Sequence, residues 1–253
     1  MTLTAAHLVV LLLAGVLAGA VGSAGGITSL ISYPALLFVG IAALPATVTN
    51  SVALVACWPG SALSSRPELK GQGPWLRQWI PVVVAGGAVG AALLLSTPAH
   101  VFARVVPFLV ASAALALLLQ PQLSAWRRDH VIMGKGQFLL PLGLFALSAY
   151  NGYFGAGAGV MVLALVLILV DQDFAKANAL KNMLVGAASV VAAVAFIFFG
   201  PVRWTAVAPL AVGLFFGSTL GPLIARRIPG NWLRVLVALT GIGLAVRLWI
   251  APG

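Results

Sequence analysis

The chain has 253 residues, of which 62% are hydrophobic and only 7% charged, with a net charge of +10. Soluble domains carry about 25% charged residues, so water cannot be the solvent for this much apolar surface. A lone cysteine, Cys57, excludes an internal disulfide framework and a multi-thiolate metal site, and His7, His100 and His130 lack ligand spacing.

Lipid is the remaining solvent. The apolar runs lack the period-two alternation of a barrel, so the expected class is an all-α polytopic membrane protein with about 8–10 hydrophobic segments. Gly, Pro and charged clusters bound these at 5–22, 27–40, 46–64, 78–96, 101–120, 137–155, 157–171, 174–200, 203–225 and 230–250. The first has no charge before it, and none follows until Arg66, so it reads as a retained span rather than a signal peptide. The segments 27–40 and 157–171 are short. As helices they reach roughly 21 Å, where a full crossing needs about 20 residues, so they are expected to be broken or re-entrant.

Basic residues sort by side. Arg66, Lys70 and Arg77 follow the third segment, Arg127, Arg128 and Lys135 the fifth, and Arg226 and Arg227 the ninth. The positive-inside rule then puts loops 65–77, 121–137 and 226–234 in the cytoplasm, with both termini on the opposite side. The surplus of positive charge reads as topology and lipid contact, not as a nucleic-acid surface. Trp58, Trp75, Trp79, Trp126, Trp204, Trp232 and Trp249 read as interfacial belt residues.

The two halves resemble each other. Gly22-Ser23-Ala24-Gly25-Gly26 aligns with Gly155-Ala156-Gly157-Ala158-Gly159, and Ala46 to Ser51 with Asn178 to Met183. Gly87 to Gly90 parallels Gly217 and Gly221, and Pro98 to Val105 parallels Pro229 to Val235, all in the same order. Five segments is an odd number, so the second copy must enter the membrane inverted. The expected organisation is a repeat over 1–122, a basic cytoplasmic linker over 123–136 and an inverted repeat over 137–253. Inverted repeats of this kind mark alternating-access transporters with a site at the repeat interface.

Two stretches carry a family resemblance. The first reads GSAGGITSLISYPAL and then ATVTNS; the second reads GYFGAGAGVMVLAL and then AKANALKNML. Together they resemble the sulfite exporter TauE/SafE family over nearly the whole chain. The resemblance implies two related halves and transport of sulfite, organosulfonates such as sulfoacetate, taurine-derived compounds or related anions across the bacterial inner membrane, in the direction of export, which makes the termini periplasmic. Where the first half has Thr49-Asn50 the second has Lys181-Asn182, so the two halves need not use their side chains alike.

The residues themselves favour an anion. Glu68, Asp129, Asp171 and Asp173 all fall in loops or at helix ends, so no buried carboxylate is available for a cation or a proton relay. Asp173 reads as the N-cap of the helix beginning near Phe174. A glycine-interrupted helix exposes N–H groups and a positive dipole end, which hold an oxyanion without any charged side chain. Gly25, Gly26, Gly155, Gly157 and Gly159 are candidates for that role, whereas Gly86, Gly90, Gly213, Gly217 and Gly221 read as packing glycines. Asn50, Asn182, Thr49 and Ser51 supply donors at matching points, and Tyr33 and Asn151 flank the breaks. Lys181 lies two turns inside its segment, either snorkelling or contacting the anion, while Lys176 can snorkel readily.

A dinucleotide loop would need a strand before GYFGAGAG and a soluble βαβ unit around it, and neither is present. The expected function is a secondary transporter of small sulfur-containing anions with no cofactor and no metal, acting alone or as a homodimer within membrane lipid. A channel, an uptake transporter, and an intramembrane enzyme or scaffold are the alternatives. An enzyme would need a nucleophile–base or metal constellation, which the sequence lacks.

Overall fold

The computed structural model describes residues 3–129, 136–171 and 173–225, with 242, 243 and 246 besides. Regular structure among these residues is entirely helical. The first half holds α1 (Ala5–Gly25), α2 (Thr28–Phe38), α3 (Ala43–Leu54), α4 (Cys57–Ser64), α5 (Arg66–Leu69), α6 (Gly73–Ser96) and α7 (Ala99–Asp129). The second holds α8 (Gly136–Tyr153), α9 (Ala158–Leu169), α10 (Phe174–Phe199) and α11 (Trp204–Ala225). Apart from 242, 243 and 246, the tenth expected segment, 230–250, lies outside the described residues, as does the basic loop 226–234.

Four of the described helices are long and apolar enough to cross a membrane, within α1, α6, α10 and α11. Outer faces suit lipid: Phe198 and Phe199 on α10 are 74% and 79% exposed, and Phe138 on α8 is 82% exposed. So much uncovered aromatic surface is rare on a protein surrounded by water.

Three boundaries differ from the sequence expectation. The segment 46–64 is two helices, α3 and α4, not one. Pro59 lacks an N–H, and its ring crowds the carbonyl four residues back, at Val55. The chain answers with tighter bonds around that point, Ala56 N–H to Ala53 carbonyl at 3.1 Å and Trp58 N–H to Val55 carbonyl at 3.1 Å. Within the loop 65–77, α5 forms a short helix that begins with Pro67 in its first turn. Finally, α7 runs on through Asp129 into the stretch read as a linker, of which 130–135 lie outside the described residues.

Helix starts follow their caps. Thr4 and His7 close a reciprocal capping box on α1. Asp173 caps α10 as expected, its Oδ1 accepting the Lys176 N–H at 2.9 Å. Asp171 extends this cap, accepting the Asp173 N–H at 2.9 Å and pairing with Lys176 Nζ at 2.6 Å. Those contacts hold the Asp171 carboxyl below its usual range, Lys176 first and the Asp173 N–H second.

Helix pairing exchanges partners between the halves. α1 packs along α11 and α8 packs along α6, each pair with its backbones close together. A Cβ on Gly15 would meet the Leu210 carbonyl, and one on Gly19 the Leu214 carbonyl. On the other pair, Gly86 lies against the Phe145 carbonyl and Gly90 against the Ala149 carbonyl. Contacts climb both helices together, so each pair is parallel. Small residues permit this approach where lipid supplies no hydrophobic drive between helices.

Two cores result. One gathers Tyr33, Phe102, Phe154 and Phe196, with Phe154 edge-on to Tyr33 at 5.4 Å between ring centroids. The other gathers Leu163, Val166, Leu180 and Leu184 from α9 and α10.

Candidate functional site

The break between α1 and α2 places Gly26 at φ 82°, and the break between α8 and α9 places Gly155 at φ 79° and Gly157 at φ 76°. Only glycine takes that backbone region without strain. The two breaks touch: a Cβ on Gly26 would lie 2.5 Å from the carbonyl carbon of Gly159. Neither α2 nor α9 has a side-chain cap at its N-terminus; the N–H groups of Leu30 and Val160 donate instead to the Ile27 and Gly157 carbonyls, both at 3.1 Å.

A cavity of about 70 Å³ lies at this meeting point. The broken helices contribute Gly22, Ser23, Gly26, Thr28, Ser29, Gly155 and Gly159, and α8 adds Asn151. From α4 come Cys57, Trp58 and Ser61; from α10 come Lys181, Asn182, Gly186 and Ser189. Both halves therefore build the wall.

Lys181 is the charged residue of this wall. It is 2% exposed and makes no ion pair among the described residues, where Lys176 with Asp171 forms the salt bridge. Snorkelling does not describe it, because its side chain ends inside the protein rather than at a surface. Lys176, by contrast, is 37% exposed by side chain. A buried cation without a counter-charge is costly, and among the described residues the cavity wall offers Lys181 neutral groups only.

The amides have separate duties. Asn178 and Asn182 both donate to the Ser23 carbonyl, at 2.9 Å and 3.2 Å, one turn apart on α10. That carbonyl belongs to the last turn of α1, where the break removes its intrahelical partner. Asn151 Nδ2 donates to Ser189 Oγ at 3.0 Å, holding that hydroxyl at the cavity wall. Asn50, 2% exposed, lies a layer behind, donating to the wall residue Ser29 at 3.3 Å. Its Oδ1 has no partner among the described residues.

Of the residues expected to form the site, Gly26, Asn151, Gly155, Gly159, Lys181 and Asn182 line this cavity, and Asn50 supports it. Four others are placed elsewhere. Tyr33 sits in the aromatic core, and Gly157 packs against Ala113 of α7. Thr49 Oγ1 accepts the Arg203 N–H at 3.0 Å, and Ser51 Oγ donates to the Thr47 carbonyl at 2.9 Å. Gly25 ends α1, and its surroundings lie outside the described residues.

Trp58 is a correction. Instead of standing in an interfacial belt, its indole lines the cavity and packs on Gly186, where a Cβ would strike the ring. The indole Nε1 is buried without a partner among the described residues. Ser23, Ser29, Ser61 and Ser189 were also missed as wall residues. Their signal was faint, since a serine in a membrane helix usually bonds back to its own turn, as Ser61 does to Trp58.

The comparisons agree with this architecture. The family described as sulfite exporter TauE/SafE matches residues 8–248. A "Probable membrane transporter protein ORF9" of a Sinorhizobium species is 28% identical over 246 residues, 96% of this chain and 92% of that protein. "Probable membrane transporter protein YfcA" of Escherichia coli K12 is 27% identical over 94% of this chain and 88% of its own length. A "Probable membrane transporter protein" of Haemophilus influenzae is 25% identical over 95% of this chain and 94% of its own. No solved structure matches. With the family matched across almost its whole length, the chain belongs to the sulfite exporter TauE/SafE family of membrane transporters.

Proposed function

We propose that this transporter carries small sulfur-containing anions, sulfite or organosulfonates, out of the bacterial cytoplasm by alternating access. The observation that carries the reading is Lys181, a buried lysine lining a cavity beside two helix N-termini that lack side-chain caps. Each of these features favours negative charge, and they converge on one point.

The exchanged pairing of α1 with α11 and of α8 with α6 supports a two-fold relation between inverted halves. Rocking one pair against the other would expose the cavity to each side in turn. Export fits an inside-negative membrane, which favours outward movement of an anion by about 2.3 kcal/mol per charge per 100 mV. The basic residues Arg66, Lys70 and Arg77, read as cytoplasmic, would raise local anion concentration at the entrance.

The test is flux from proteoliposomes loaded with sulfite, comparing the native chain with Lys181→Met. The native protein should give saturable efflux, and the variant should lose it at least about tenfold with its thermal midpoint unchanged or raised. Undiminished efflux from folded Lys181→Met would sink the anion-site reading. Efflux that never saturates would instead indicate a channel.

A further inference from the structure

The polar hydrogens of the cavity wall fall into two groups, and the first is already committed. Ser23 Oγ donates to the Gly19 carbonyl at 2.7 Å and Ser61 Oγ to the Trp58 carbonyl at 3.1 Å, the back-bonding usual for serine in an apolar helix. Asn182 gives its amide to the Ser23 carbonyl.

The second group is held ready. Ser29 Oγ accepts from Asn50 Nδ2 at 3.3 Å and Ser189 Oγ from Asn151 Nδ2 at 3.0 Å, and neither hydroxyl donates to an acceptor among the described residues. An amide that donates to a hydroxyl oxygen takes one lone pair and turns the O–H away from itself. Both serines line the cavity, Ser29 from α2 in the first half and Ser189 from α10 in the second.

Trp58 of α4 brings a third hydrogen. Its indole lines the same wall, and Nε1 is buried with no acceptor among the described residues. An indole nitrogen only donates, so no change of orientation makes it an acceptor. Packing on Gly186, where any side chain would strike the ring, keeps the indole in place. A buried donor left unpaired is rare and costly, and an occupant of the cavity is what can supply its acceptor.

We infer that the Trp58 indole N–H and the Ser29 and Ser189 hydroxyls bind the oxygens of the substrate, with Asn50 and Asn151 as positioning residues that hold the two hydroxyls as donors. A sulfite or sulfonate head fits this set, because three oxygens on one sulfur meet three side-chain donors beside Lys181. The donors come from both halves, so one bound head joins α2 and α4 to α10. This rests on the anion-transport reading above, and the experiment keeps the two apart.

Labelled sulfite efflux from proteoliposomes would be measured over a range of internal sulfite for the native chain, Trp58→Phe, Ser29→Ala, Ser189→Ala and Asn151→Leu. Methanesulfonate and methanesulfinate serve as competitors that carry the same single charge and differ by one acceptor oxygen. Trp58→Phe keeps an aromatic ring but loses the N–H, and should raise half-saturating sulfite about tenfold or more with the maximal rate within about threefold. Each serine variant should raise it about threefold or more, and Asn151→Leu should match Ser189→Ala. The native chain should prefer methanesulfonate to methanesulfinate about tenfold, and the ratio should fall toward one when a donor is removed.

A packing defect would weaken both competitors alike, so an unchanged ratio across the variants would overturn the inference while leaving anion transport intact. A native ratio and half-saturation in any one variant removes that residue from the site. Should Trp58→Phe fail to fold, the serine variants carry the same ratio test. No saturable sulfite efflux from the folded native chain would remove the transport reading itself, before any variant is compared, and the inference with it.

Discussion

At the first break, α1 ends with a freed Ser23 carbonyl that is claimed by Asn178 and Asn182, residues of the opposite half. At the second, the Tyr150 carbonyl keeps its helical partner, the Phe154 N–H, and also takes the Gly155 N–H at 3.2 Å, while the Tyr150 hydroxyl donates to the Ala156 carbonyl at 2.7 Å. One break is closed across the molecule and the other within a few residues. The helices beside them also differ, since Pro59 divides α3 from α4 whereas α10 runs unbroken past Lys181. Similar sequence elements thus differ: the first half is divided at Pro59, and the second runs unbroken and carries the charge of Lys181.

The contrast can be attacked where the breaks meet. Gly26→Leu should be the most damaging change, because it adds a side chain at positive φ directly against the Gly159 backbone. Strain of about 1–3 kcal/mol adds to overpacking of similar size, and the expected result is loss of monodisperse protein on size exclusion. Normal yield and melting for Gly26→Leu would show that the breaks are not held in contact.

Next comes Asn178→Leu, which strips one of two amides from the Ser23 carbonyl and buries an apolar group in its place. A loss of about 1–3 kcal/mol is expected, doubling or more with Asn182→Leu because the carbonyl is then orphaned. Thermal midpoints of the single and double variants measure this coupling; strictly additive shifts would mean the two amides do not share an acceptor.

A smaller effect is expected from Tyr150→Phe, about 1 kcal/mol, since only one local hydrogen bond to Ala156 is lost. If it proves costlier than the Asn178 and Asn182 changes together, the second break is the more dependent on its single contact, and the comparison reverses.

The smallest change is Asp171→Asn at the turn between α9 and α10. Its carboxyl is held low, so the contribution is present above the ordinary carboxylate range and is lost as pH falls through the depressed folded value. The pair is partly exposed, so well under about 1 kcal/mol is expected at neutral pH, vanishing in acid. A variant difference that grows on acidification would contradict that sign.

Much of the fold was legible from the chain alone because lipid imposes long apolar runs and glycine interrupts them visibly. Nine of the expected segments coincide with described helices to within several residues, apart from the division at Pro59 and the extension of α7. The site was legible in part. Gly26, Gly155, Gly159 and Lys181 announced themselves by residue type, as a glycine or a lysine inside an apolar run demands a reason.

Trp58 and Asn182 show where that legibility ended. An indole three residues past a predicted midpoint gives no local hint that it will pack on Gly186, far along the chain. Asn182 looked like a free donor, yet its amide is spent on Ser23. Composition and periodicity determined that this chain is a helical membrane protein with two glycine breaks and one deep lysine. Which groups share a cavity, and which amides are already spoken for, depended on helices packing across the halves. That packing is a matter of side-chain shape at long sequence separation, and no local pattern encodes it.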